Sequence, residues 1–145
     1  NYAYLLDPYN RDYYLTLVKI QAPILSFKLI KPVRDEHFYR LFHDYIVKGG
    51  FVAAQEETQF KSFFEGRRME KKINWLGAKN TLCYFIKLLR KFDALQSHSY
   101  SHWEVTAEFF IIKGRPLLAK QLINQGKPAN RVKVNTLENF VGLLL

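Results

Sequence analysis

Between Phe109 and Lys133 the chain carries Lys113, Arg115, Lys120, Lys127, Arg131 and Lys133 and no Asp or Glu. An acid-free run of that length sets up a local positive field rather than mixed solubilising charge, and an anionic partner is its simplest reading. The residues set among these cations are of types that can read bases. Lys120, Gln121 and Asn124 stand at i, i+1 and i+4, so on a helix they point the same way, opposite Leu118 and Leu122. Gln and Asn can each make a bidentate contact to adenine, and Lys can meet guanine or a phosphate. Arg115, just ahead of them, would sit beside a phosphate at the start of that helix. Lys127, Arg131 and Lys133 follow in the polar stretch Gln125 to Lys133, which also holds Pro128 and could act as a wing or backbone clamp. If roughly four to six of these side chains neutralise phosphates, log affinity should fall against log salt with a slope of about −4 to −5.

Three helices would have to position these groups. From Lys79 to Phe92 the apolar set Leu82, Phe85, Ile86, Leu89 and Phe92 forms a helical stripe, with Lys87, Arg90 and Lys91 outside it. Ser101-His102-Trp103-Glu104 has the form of a capping box, which predicts a helix over 102–111. Ile112 to Arg115 makes a short connection, and Pro116 suits the first position of a third helix, Pro116 to Asn124, ending before Gly126. Helix, helix, brief turn and helix is the order of a helix-turn-helix unit with the third member as reader. A last helix is expected with Asn135 as its cap, Glu138 three residues on, and Leu137, Phe140, Val141 and Leu144 as its apolar stripe. The closing Leu143-Leu144-Leu145 should pack back onto the core.

Ahead of this unit the pattern is also helical. Asp12 to Lys31 fits a helix and a strand almost equally, leaning to helix before Pro23. Phe38, Leu41, Phe42, Tyr45 and Ile46 follow helical spacing, with Asp35 and Glu36 at the start and Lys48-Gly49 at the end. Thr58 to Glu65 places Phe60, Phe63 and Phe64 on one side of a short helix that stops at Gly66, and Ile73 and Trp75 alternate with Asn74 in an extended piece. The expected architecture is mainly α, with a helical N-terminal lobe over 1–66 and a helix-turn-helix or winged-helix-like lobe over 67–145.

The 145 residues include 22 Lys or Arg against 13 Asp or Glu, a formal charge of +9, and are 48% apolar. Disordered and fibrous classes are excluded. The charge is uneven: Lys61 to Lys133 holds 15 basic and 5 acidic residues, the remainder 7 and 8. Cys83 is the only cysteine, so no internal disulfide can form, and Lys or Arg interrupts every apolar run before it reaches membrane-spanning length. Asn1 to Asp7 shows no basic segment leading into a long apolar one. A cytoplasmic location without membrane attachment is the expectation.

Other chemistries find less support. His98 and His102 have helical-type spacing and Cys83 could lie near them, but zinc sites need three or four ligands and no second pair is present. There is no glycine-rich phosphate loop, nucleophile elbow or cysteine-nucleophile motif, and Glu56-Glu57 and Glu104 with Glu108 read as solubilising pairs. No enzymatic activity and no cofactor are expected. The rival to DNA binding is a protein-interaction module, with Tyr4, Tyr9, Tyr13 and Tyr14 in the front half as docking residues.

The run Lys72-Ile73-Asn74-Trp75-Leu76-Gly77-Ala78-Lys79-Asn80-Thr81-Leu82 resembles the K-I-x-W-x-G-S-K-x-x-L segment that opens the C-terminal domain of RteC-type regulators of conjugative transposons. Phe63-Phe64-Glu65-Gly66 is similar to the F-x-G that leads into it, Trp103 to Phe110 to a helix ending in F-F, and Asn130-Arg131-Val132-Lys133 to N-R-T-K before the last helix. The similarity spans Phe60 to Leu145, with Ala78 in place of Ser and Val132 in place of Thr. It implies a winged-helix-like DNA-binding domain behind a helical front domain, a double-stranded DNA partner, and a role in transcription regulation on a mobile element.

Overall fold

The computed structural model describes residues 33–66, 71–91 and 102–144. The reading of Asp12 to Lys31, the Tyr4, Tyr9, Tyr13 and Tyr14 cluster, the Ser101 cap and His98 fall outside those residues. Behind Asp35 and Glu36, whose charges suit a helix start, α1 runs over Asp35–Leu41. It does not end there but widens into a π-helical stretch, Phe42–Val47, in which the Lys48 N–H reaches back five residues to the His43 carbonyl and Phe51 to Ile46. The widening keeps Phe42 and Ile46 inward together, both fully buried. A 3₁₀ turn, Ala54–Glu56, leads into α2, Glu57–Phe64, which buries Phe60, Phe63 and Phe64 as its spacing predicts.

Ile73–Trp75 is extended, as expected, and forms β1. Its partner was not foreseen. The helix predicted over 102–111 ends as α4, His102–Phe109, and Phe110–Ile112 forms β2, paired in parallel with β1 in the register Ile73 to Phe110 and Trp75 to Ile112. Two forces favour the strand: Phe-Ile-Ile is an aromatic and β-branched run, and β1 needs a ladder for its backbone groups. A parallel pair requires a crossover, and α3, Lys79–Lys91, together with α4 lies within it.

The third helix of the expected tri-helical unit is absent. Pro116–Asn124 contains a single 3₁₀ turn, Ala119–Gln121, preceded by extended Leu118 (φ −107°, ψ 142°). A nine-residue helix nucleates poorly without a packed face, and the burial here does not follow a helical stripe. Leu117 and Leu122 are docked in the core, whereas Leu118 and Ile123, at 53% and 57% exposure, face outward. Pro116 also holds the residue before it out of helical geometry. The winged-helix order is therefore not built from these segments.

The last helix, α5, spans Arg131–Leu144 and begins one turn earlier than predicted. Asn130, not Asn135, caps it, its Oδ1 accepting the Lys133 N–H at 3.2 Å. Of the closing leucines expected to pack back, Leu144 is buried, whereas the Leu143 side chain is exposed with its carbonyl 3.0 Å from His37 Nε2, and Leu145 lies outside the described residues. Among the described residues one apolar cluster runs from Phe38 to Leu144, so the boundary drawn at 66/67 does not divide the core. Phe60 lies against Phe85 and Phe140, joining α2, α3 and α5. The described residues are mainly helical, with one small sheet among them.

Candidate anion-binding site

Beyond Ile112 the chain reverses in four residues. Ile112 and Arg115 exchange both backbone hydrogen bonds, at 3.0 and 2.8 Å, and the two residues between them, Lys113 (φ 49°) and Gly114 (φ 77°), both have positive φ. That is the signature of the mirror-image turns that close tight hairpins, which favour Asn and Gly at the centre. Two further bonds fix the turn to the sheet. Lys113 N–H donates to the Trp75 carbonyl at 2.9 Å, and Gly114 N–H donates to Asn74 Oδ1 at 2.8 Å. Asn74 is itself held from behind, its N–H donating to Glu56 Oε1 at 3.1 Å, and that carboxylate is buried.

This rigid turn forms one wall of a cavity of about 460 Å³ lined by Lys79, Ile112, Lys113, Arg115, Pro116 and Gln121. Lys79 is the first residue of α3. None of the three cations has a carboxylate partner among the described residues. Gln121 is anchored within its own turn: its Oε1 accepts the Leu118 N–H at 3.0 Å, which leaves the Nε2 group as donor.

The structure thus brings Arg115 and Gln121 together, with Lys120 exposed beside them. Asn124 is exposed but is not on a shared helical face with Lys120 and Gln121, because that helix does not form. Lys127 is exposed with its Nζ 5.6 Å from the centre of the Tyr84 ring, a cation–π contact that ties it to α3. Arg131 is exposed at the first position of α5. Lys133 has another duty. It is half-buried, its ammonium donates to the Gly49 carbonyl, and it lies 5.0 Å from the Phe51 ring centre, so it pins α5 to the end of the π-helical stretch. The stretch Gln125 to Lys133 is therefore a loop only as far as Asn130, and its last three residues are helical.

Sequence reasoning counted Lys113 in the basic run without placing it at a turn, and it missed Lys79 and Asn74. The signal for Lys113 at a turn was present: an aromatic and β-branched run followed by Lys-Gly reads as a strand leading into a turn. Asn74 gave none, because its role depends on β2 lying alongside.

The residues of the Lys72–Leu82 run carry packing. Trp75 is buried with its Nε1 donating to Thr81 Oγ1 at 3.0 Å, and a Cβ on Gly77 would lie 2.7 Å from that oxygen and 2.9 Å from the indole nitrogen. Cys83 is buried, its thiol donating to the Leu122 carbonyl at 3.4 Å, and desolvation pushes its pKa up to about 11. It is thus a poor nucleophile and a poor ligand at neutral pH. The His102 ring lies tilted against Trp103, 4.2 Å between ring centres, and meets Arg90 at 3.0 Å. No group of three His, Cys, Asp or Glu among the described residues could hold a metal, and no helix among them is long and apolar enough to cross a membrane. Comparison with protein-family models, curated proteins and solved structures gives no match for this chain.

Proposed function

We propose that this protein binds DNA through its phosphate backbone, using a basic face built from the 112–115 turn and the loop that follows it. The observation that carries this is the display of Arg115, Lys120, Lys127 and Arg131, all exposed, on a stretch free of acids. Lys79 and Lys113 extend the same chemistry into the adjoining cavity. Such contacts position a protein on DNA but carry no sequence information by themselves. With no helix over Pro116–Asn124, base reading by Lys120, Gln121 and Asn124 as a unit forms no part of this reading. The resemblance to RteC-type regulators adds a regulatory role on a mobile element.

The test is a salt titration of the full chain against a mixed-sequence duplex. Four to six phosphate contacts predict a log–log slope of about −4 to −5, and Arg115→Gln or Lys120→Gln should each reduce the slope by about one while weakening all sequences alike. No retention at low salt, or an affinity indifferent to salt, sinks the proposal. The first outcome would favour a protein partner instead, for which exposed Leu118, Ile123 and Val132 supply apolar contact.

A further inference from the structure

The cavity beside the turn is a partly open hollow, with Lys113, Arg115 and Pro116 exposed at its sides. Its volume of about 460 Å³ is far more than one phosphate group fills and falls within the usual span for small organic ligands, roughly 300–1,000 Å³. Its lining divides into two kinds of wall. Lys79, Lys113, Arg115 and the Nε2 group of Gln121 are donors without an acceptor side chain among the lining residues, while Ile112 and Pro116 are apolar. Three cationic residues line it, and among the described residues none of them is in salt-bridge contact with a carboxylate. A ligand that satisfies this lining has an anionic end rich in acceptors and an organic body.

We propose that this cavity binds a phosphate monoester dianion, presented by a small molecule of nucleotide size or by the phosphorylated 5′ end of a strand. A monoester carries a charge of about −1.5 to −2 near neutral pH and offers three terminal oxygens. An internal phosphodiester carries one charge and offers two, so it leaves more of the lining donors unmet. Arg115 supplies a planar fork that suits two oxygens at once, and the lysines add point charges. The backbone that holds them is fixed beforehand by four hydrogen bonds, to Ile112, Arg115, Trp75 and Asn74, which lowers the ordering cost of binding. Lys113 occupies a positive-φ position where Asn or Gly would be easier, and it is one of the residues that line the cavity.

The inference goes beyond the DNA reading and is tested apart from it. Isothermal titration of the full chain with AMP, adenosine and inorganic phosphate is the first measurement. AMP should bind, adenosine should not, and inorganic phosphate should bind at least tenfold more weakly than AMP. Arg115→Gln and Lys113→Asn should each weaken AMP at least tenfold, with circular dichroism confirming that both variants fold. Asn tolerates the positive φ, so the second variant keeps the turn. Arg131→Gln, which lies off the cavity, should weaken duplex DNA and leave AMP unchanged. If AMP gives no signal but a 5′-phosphorylated oligonucleotide binds at least tenfold more tightly than its 5′-hydroxyl twin, the ligand is the strand end. Equal binding of those two oligonucleotides without AMP binding, or AMP binding untouched by both cavity variants, overturns the proposal.

Discussion

A charged side chain here serves whichever partner its backbone puts within reach. Lys61 falls in the basic half of the sequence, yet it is buried, paired with Asp35 and set 5.7 and 5.3 Å from the rings of Phe38 and Tyr39. Lys133 is similarly occupied by the Gly49 carbonyl. Neither adds to the basic face, so counting charges overstates the field a partner meets. Tyr84 shows the same local control. Its hydroxyl donates to Glu138 Oε1 at 2.5 Å, and desolvation, that hydrogen bond and the carboxylate charge push its pKa up from about 10 to about 12. Because the folded value is the higher one, the neutral phenol's contribution to stability is complete below pH 10 and is lost as pH rises through 12. Glu138→Gln should move the titration of one tyrosine toward 10, read as absorbance of the tyrosinate against pH. An unchanged curve would mean that burial alone sets the value.

Elements take their limits from what they pack against. Helix α3 was legible because its stripe and its burial coincide: Leu82, Phe85, Ile86 and Leu89 are all inside. The 116–124 segment was misread because four apolar residues, Leu117, Leu118, Leu122 and Ile123, fit a short helix on paper, while the core accepts only Leu117 and Leu122. The close passage at Gly77 is a point where an element tolerates no addition. A methyl group there would meet Thr81 Oγ1 at 2.7 Å and the Trp75 Nε1 that bonds to it at 2.9 Å. Gly77→Ala should therefore cost about 1–3 kcal/mol through overpacking and the disturbed buried hydrogen bond. Urea unfolding measures it, and a loss below about 0.5 kcal/mol would show that the β1–α3 junction can relax.

At the scale of the molecule, the shared core predicts how the protein unfolds. Phe140 is fully buried and lies 6.2 and 5.9 Å from the ring centres of Phe60 and Phe85, so it touches elements on both sides of the boundary expected at residue 66. Phe140→Ala should cost about 3–5 kcal/mol. Native protein and variant should each melt in one transition, seen alike by far-ultraviolet circular dichroism and tryptophan fluorescence. Two separated transitions would show that the lobes are energetically independent despite the common core. The same joint holds the sheet and its turn against α3, so core damage should also weaken the anion site without any change in the cations themselves.

The sequence by itself determined the mainly helical class, the α1, α2 and α3 stripes, the burial of Trp75 and the acid-free basic run. Each of these rests on residue type and spacing, which act over one or two turns of chain. Only the tertiary structure decided that Phe110–Ile112 is a strand, that Pro116–Asn124 holds a 3₁₀ turn and no α-helix, and that Lys79 and Gln121 share a cavity. A strand exists only when its ladder partner is present, and a weakly helical segment adopts whatever shape buries its anchoring residues. Both conditions are set by groups more than thirty residues away, Ile73–Trp75 with Phe110–Ile112 and Cys83 with Leu122, which no local pattern contains.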